Sequence, residues 1–391
     1  MKPILLLSTI LLAASSALGN TFYVATTGSD ANPGTQAQPW ATIGHANAVV
    51  GPGDTVHVQP GTYNTAGITT SASGAPGSPV TFISDTRWAA QVVVTGAPDS
   101  CWNVAASWVV IDGFDITEGS SGSCRGGLIN TSGTNVTFQH NRVHDLQHSS
   151  VISNCTTEGG EGIGSFPGTS NLSILANEVF NVGNPNGAQS CTFIHGIYDN
   201  STGDIENNLI FHNAGFGINS HSDSQNIVNN TIFNQNAGGI WITGGTSGHN
   251  IINNIIYDVG IGNNSNQAGV NSSYSDDSPS NSAYTDNLIF QSSGSQANNW
   301  VVRGSGPGTT GYVNAAPQFV NYTGTQTGNY QLASSSPAVG AGTMNFAPGT
   351  DFTGSTRQAP IWMGAYQSGG SGGGGGGSLP AAPTGLTASV Q

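Results

Sequence analysis

Tyr198, Asn219, His221 and Trp241 fall at related places in a set of short, similar runs: EGIGS (161–165), HGIYD (195–199), FGINSH (216–221), GGIWIT (238–243) and AGVNSS (268–273). Each run centres on a Gly-apolar pair. Side chains alternate between faces along a strand. If Ile163, Ile197, Ile218, Ile240 and Val270 point inward, Gly164, Tyr198, Asn219, Trp241 and Asn271 point outward. Asn200, His221 and Thr243 lie further along the same runs, and the Gly beside each inward residue leaves room next to this column. Phenol, amide, imidazole and indole groups in a row offer stacking surfaces, neutral hydrogen-bonding groups and proton carriers. An elongated sugar-binding cleft needs those features.

Two reactions suit such a row. Elimination across a uronate needs a base for the C5 proton, an acid for the leaving oxygen and a partner that neutralises the carboxylate. The only lysine is Lys2, so the acid and base roles fall to Tyr198 with His221, or with His195. Asn219, Arg142 or Arg125 would take the carboxylate. Hydrolysis instead needs two carboxyl groups, about 5 Å apart for retention and wider for inversion. Its candidates are Glu158, Glu161, Asp199 and Asp223. Against both stands a plainer reading, in which the histidines are packed or solvated and Trp241 covers a gap. Asp276 and Asp277 in SYSDDSPSN offer carboxylates to a Ca2+, with a solvated turn as the competing reading. The sequence requires no other cofactor.

A repeat would hold these residues in register. HNRVHD, ANEVFN, NNLIFH, NNTIFN, NNIIYD and DNLIFQ align on Asn141, Asn177, Asn208, Asn230, Asn254 and Asn287, at spacings of 36, 31, 22, 24 and 33. A short basic unit with insertions in three rungs, apolar runs and no helical period indicates a solenoid of strands, each rung completed by its neighbours. Each Asn should bond the backbone of its own turn and the amide stacked about 4.8 Å away. Two positions on, Val143, Val179, Ile210, Ile232, Ile256 and Ile289 should enter the core. After them His144, Phe180, Phe211, Phe233, Tyr257 and Phe290 should stack as an aromatic ladder.

This pattern resembles the right-handed parallel β-helix proteins of the pectate-lyase-like superfamily. FYVATTGSDANPGTQAQPWATIGHANAVVGPGDTVHVQPGTY (22–63) is similar to the opening of many exported β-helix proteins, several polysaccharide lyases among them. YQLASSSPAVGAGT (330–343), with DFTGSTRQAP and MGAYQ after it, resembles the closing segment of the same group. The resemblance covers residues 22–367 and implies an all-β chain with one large right-handed parallel β-helix domain over 20–367. It specifies fold rather than reaction, since this architecture hosts lyases, hydrolases, epimerases and adhesins. The lyases that share the opening segment use a Lys base and an Asp-rich calcium site. Neither is found here, so their mechanism is not carried over.

The ends and the composition set the context. MKPILLLSTILLAASSALG (1–19) reads as a secretory signal cleaved after Gly19. SGGSGGGGGGS (368–378) reads as a flexible linker, and LPAAPTGLTASVQ (379–391) as the truncated start of a fibronectin type III-like domain. The net charge is −14, with five Arg against twenty Asp and Glu beyond Gly19. That balance disfavours nucleic acid and anionic membranes, both of which are bound through Lys and Arg. No segment after the leader is apolar enough to span a bilayer.

Cys101 and Cys124 are 23 apart, near one rung, and Cys155 and Cys191 are 36 apart, the Asn141–Asn177 distance. Disulfides Cys101–Cys124 and Cys155–Cys191 follow, with four free thiols as the alternative. Together these features lead us to expect an exported monomer that acts on an extracellular polysaccharide, by elimination before hydrolysis. A non-catalytic glycan-binding adhesion protein is the rival from another class.

Overall fold

The computed structural model describes residues 19–146, 159–183, 193–260, 281–292 and 310–367, together with the strand backbones of 272–276 and 300–302. Residues 1–18 of the segment read above as a signal (1–19), and the whole linker and tail (368–391), lie outside the described residues.

The chain winds repeatedly through three faces. Sheet 1 runs from Thr21–Val24 to Ala283–Thr285, sheet 2 from Gly61–Thr65 to Leu288–Phe290, and sheet 3 from Ile68–Thr70 to Trp300–Val302. Among the described residues they hold ten, nine and nine strands, and within each sheet successive rungs pair in parallel. Parallel crossovers of this kind wind right-handed.

The corner from sheet 1 to sheet 2 is two residues long in every rung from Gly113–Phe114 onward. Its first residue has positive φ throughout: Gly113, His140, Ala176, Asn207, Asn229, Asn253 and Asp286 lie between 52° and 80°. From Asn141 on, its second residue is a ladder asparagine. The backbone N–H groups of Asn141, Asn177, Asn208, Asn230 and Asn254 each donate to the next Asn Oδ1 at 2.9 Å. Each Nδ2 donates to a sheet 1 carbonyl, from Ile111, Phe138, Ile174, Ile205, Ile227 and Ile251 in turn. Those carbonyls belong to the preceding rung and not, as expected, to the same turn. Each amide therefore ties a rung to both neighbours, and that offsets the cost of left-handed backbone at a β-carbon-bearing residue.

The corner from sheet 2 to sheet 3 is variable. Four residues separate Phe211 from Phe216 and Phe233 from Gly238, whereas 13, 11 and 14 follow Leu146, Val182 and Tyr257. All three rung insertions thus enter at one corner.

Val143, Val179, Ile210, Ile232, Ile256 and Ile289 are fully buried in the core, as expected. The aromatic column stacks on the outer side of sheet 2: His144 to Phe180, Phe180 to Phe211 and Phe211 to Phe233 are each 4.9 Å apart with nearly parallel planes. Phe180, Phe211 and Phe233 are buried because the C-terminal segment lies over them, with Tyr330 4.2 Å from Phe233; His144 stays partly exposed. Two arginines latch that segment. Arg87 donates to Phe352 O and Ala176 O, and Arg357 to Asn207 Oδ1 and Gly364 O.

Near the N-terminus the helix Ile43–Val49, capped by Thr42, adds Ile43 and Ala46 to the core. Cys101 and Cys124 form the expected disulfide; Cys155 and Cys191 lie outside the described residues. Replacing Cys101 and Cys124 together by Ser is expected to cost about 3 kcal/mol, read as a lower urea midpoint, with a larger m-value because the unfolded chain expands without its cross-link.

Candidate active site

Sheet 3 carries the runs that opened the sequence analysis, and its register aligns them: Ile163, Ile197, Ile218 and Ile240 in one column, Gly164, Tyr198, Asn219 and Trp241 in the next. The first column is fully buried. The glycines differ from expectation. A Cβ on Gly127, Gly162, Gly196 or Gly217 would lie 2.4–2.6 Å from Val143, Val179, Ile210 or Ile232, so these glycines face the core and not the cleft. Both members of each Gly-apolar pair point inward, and strict alternation breaks at the glycine. The residue before it is thereby turned outward. Glu161 and His195, paired in register, join the same face as Tyr198, Asn219 and Trp241.

These residues line a cavity of ≈ 390 Å³ with Arg125, His221, Phe166 and Phe193. Tyr198 stacks on His195 at 5.8 Å and meets His221 at 4.8 Å and 48°; Phe216 backs Trp241 at 5.0 Å. The buried Nδ1 of His195 accepts from Phe216 N–H at 3.2 Å, and its Nε2 lies 3.2 Å from the Asn219 amide. With Nδ1 accepting, the neutral ring carries its proton on Nε2; the Asn219 atom placed there is Nδ2, so the pair bonds once the amide is turned to bring its oxygen to that nitrogen. Thr243 Oγ1 lies 3.0 Å from Nδ1 and 2.8 Å from Nε2 of His221. An atom so nearly equidistant is off the lone-pair axis of either nitrogen, which leaves that ring able to accept from a substrate.

Burial sets the protonation states. It lowers His195 to about 3, with His221 adding to the effect, and it alone lowers His221. It raises Tyr198, with Glu161 adding and a hydrogen bond from Asn200 opposing. It raises Glu161 to about 8 against the pull of Arg125. Near neutral pH the pocket thus holds two neutral imidazoles, a phenol and a protonated carboxyl group beside a guanidinium.

The other sequence candidates sort by position. Arg142 is not in the pocket. It opens a sheet 2 strand, pairs with Glu178 at 2.8 Å and lies 3.7 Å over Trp88. Asp199 points into the coil, where Ser165, Ser201 N–H and Gln225 donate to it, and burial raises it to about 7. Asp223 is on an exposed turn that accepts from Ser247 N–H at 2.7 Å.

Asn200 is anchored to Ser165 O at 2.8 Å at the strand end and reaches the pocket only through Tyr198. His195, with Nδ1 occupied and its basicity suppressed, is not a base. Glu158, Asn271 and Asp277 lie outside the described residues, as does the side chain of Asp276. Phe166 and Phe193, absent from the sequence candidates, complete the wall. Both lie outside the aligned runs, and no signal marked them. Among the described lining residues two buried donors lack partners: Nε of Arg125 and Nε1 of Trp241. Among the described residues, no group of three or more His, Cys, Asp or Glu is placed to hold a metal ion.

The Pel9A-like right-handed β-helix model matches residues 22–187. The crystal structure of pectate lyase Pel9A superimposes with a TM-score of 0.55 at 19% identity, over 90% of this chain and 97% of that one. This chain has the pectate-lyase-like right-handed parallel β-helix fold. The structure of a glycoside hydrolase gives a TM-score of 0.51 at 9% identity, over 70% of this chain and 88% of its own. The uncharacterized protein YwoF of Bacillus subtilis (strain 168) is 39% identical over 64 residues, 16% of this chain and 14% of YwoF. At such low identity the structural likenesses establish fold, and the reaction must be argued from the pocket.

Proposed function

We propose that this protein is an exported polysaccharide lyase that cleaves a uronate-containing glycan by β-elimination. The observation that carries the reading is the convergence of Tyr198 and His221, ring centroids 4.8 Å apart, in a pocket that also holds Arg125. His221, kept neutral by desolvation, takes the proton from C5. The electrons left behind form the C4–C5 double bond, the C4–O bond breaks, and Tyr198 Oη–H protonates the departing oxygen. Arg125 and Asn219 hold the carboxylate on which negative charge develops. The β-helix fold shared with pectate lyase Pel9A agrees with a glycan substrate, and the leader-like residues 1–19 with export.

Hydrolysis draws support from one feature, the protonated Glu161, which could serve as a general acid. Among the described lining residues Glu161 is the only carboxyl group, so the partner that hydrolysis requires is not among them. Incubation with pectate, alginate and glycosaminoglycans tests the choice. Elimination generates unsaturated sugars that absorb in the ultraviolet. New reducing ends without that absorbance would establish hydrolysis, and retained binding with neither signal would establish a glycan-binding protein.

A further inference from the structure

We infer that Glu161 acts as a neutral hydrogen-bond donor, giving its carboxyl O–H to the carboxylate of an acidic sugar while Arg125 supplies the charge. The pair would form a subsite selective for uronates, and the assignment rests on the elimination reading above. Three observations point to it. Glu161 is only 6% exposed yet lines the cavity, on the rung next to Gly126 and beside Arg125. Glycines flank its side chain: a Cβ on Gly126 would sit 3.1 Å from its Oε1, and one on Gly164 3.1 Å from its Cγ. Bare backbone at those two places leaves the carboxyl group room to meet a ligand. Arg125 keeps a buried, unpartnered Nε, and among the described residues no ion pair joins Arg125 to Glu161.

The sign of the charge decides between the two forms of the acid. The described titratable groups around Glu161 in this pocket are Arg125, His195, Tyr198 and His221. Both imidazoles are lowered and the phenol is raised, so Arg125 is the charge that remains. An ionised Glu161 would cancel it and repel an incoming carboxylate. A protonated Glu161 leaves one net positive charge and adds a donor, which makes a carboxyl–carboxylate hydrogen bond available. Burial holds Glu161 protonated up to about pH 8. Binding should therefore be complete below that pH and fall above it as the proton is lost.

Calorimetry on the full chain carrying Tyr198→Phe, which suppresses turnover, tests this with trimers of galacturonate, mannuronate and glucuronate and with their methyl esters. At least one acidic trimer is expected to bind, weakening about tenfold from pH 7 to pH 9, while its ester shows no such pH dependence. Adding Glu161→Gln, a neutral donor at every pH, should flatten the acidic trimer's profile. Adding Glu161→Ala should weaken binding at pH 7 tenfold or more.

The inference is overturned if no acidic trimer binds, if the ester binds as tightly as the acid, or if the alkaline fall survives Glu161→Gln. The ester comparison leaves Glu161 in place and so does not depend on a Glu161 variant folding. If the binding results hold but the protein with Tyr198 intact forms no unsaturated product, the elimination reading falls and the subsite stands. If product forms but the alkaline fall survives Glu161→Gln, only the subsite falls.

Discussion

Tyr198→Phe is expected to lower kcat for elimination by about 10²- to 10⁴-fold, the usual contribution of a positioned acid or base. KM should change little, because the ring and its stacking on His195 and His221 are kept. Burial raises the Tyr198 pKa and lowers that of His221, so near neutrality the phenol is the acid and the imidazole the base. His221→Ala should therefore produce a loss of similar size that added imidazole partly restores, which a purely structural role would not allow. The acid limb of kcat/KM should fall below the ordinary imidazole value, since His221 loses its basic form only when the pH drops below its lowered pKa. The assignment fails if Tyr198→Phe retains full kcat on a uronate polymer, or if the acid limb sits above the ordinary value.

Asn208→Ala is expected to be the most damaging single change to the fold. Its Oδ1 accepts from Asn177 N–H and Nδ2, and its Nδ2 serves Ile174 O and Asn230 Oδ1, all in the buried interior. Truncation strands at least a backbone donor and a backbone acceptor, at about 1–3 kcal/mol each, so a loss of roughly 2–6 kcal/mol should appear in urea titration. Asn208→Asp should also destabilise, because it keeps the acceptor but cannot donate to Ile174 O. A variant as stable as the parent would show that the amide column does not hold the rungs together.

The ladder positions were legible because one physical requirement repeats. From Asn141 on, wherever the two-residue corner takes left-handed backbone, the next residue meets buried polar groups of neighbouring rungs, and Asn satisfies them at Asn141, Asn177, Asn208, Asn230, Asn254 and Asn287. The aromatic column was legible for the same reason, although nothing in the repeat itself foretold that Tyr330 and its neighbours would cover it. The site was legible in part. Tyr198, Asn219 and Trp241 were placed correctly by alternation.

Glu161 could be placed only approximately, because alternation by two assigns it the wrong face. The inward glycine that reverses it is dictated by Val179, on a different sheet. Arg142 was misassigned because proximity of rungs says nothing about which of three faces a residue occupies. It follows the ladder Asn directly, and that position belongs to sheet 2. Asp199 and Asp223 failed for a related reason, since a carboxylate's direction at a strand end or turn depends on partners such as Gln225 and Ser247 in other rungs.

Entry of the three rung insertions at the corner between sheets 2 and 3 divides the molecule into a constant lock and an exchangeable cassette. The two-residue corner sets the register of the whole coil, while the long corner feeds directly into the strands that carry Glu161, His195 and Tyr198. New polymer preferences could then be installed by swapping those connections between homologous coils, with the amide column and the covered ring stack carrying the fold unchanged.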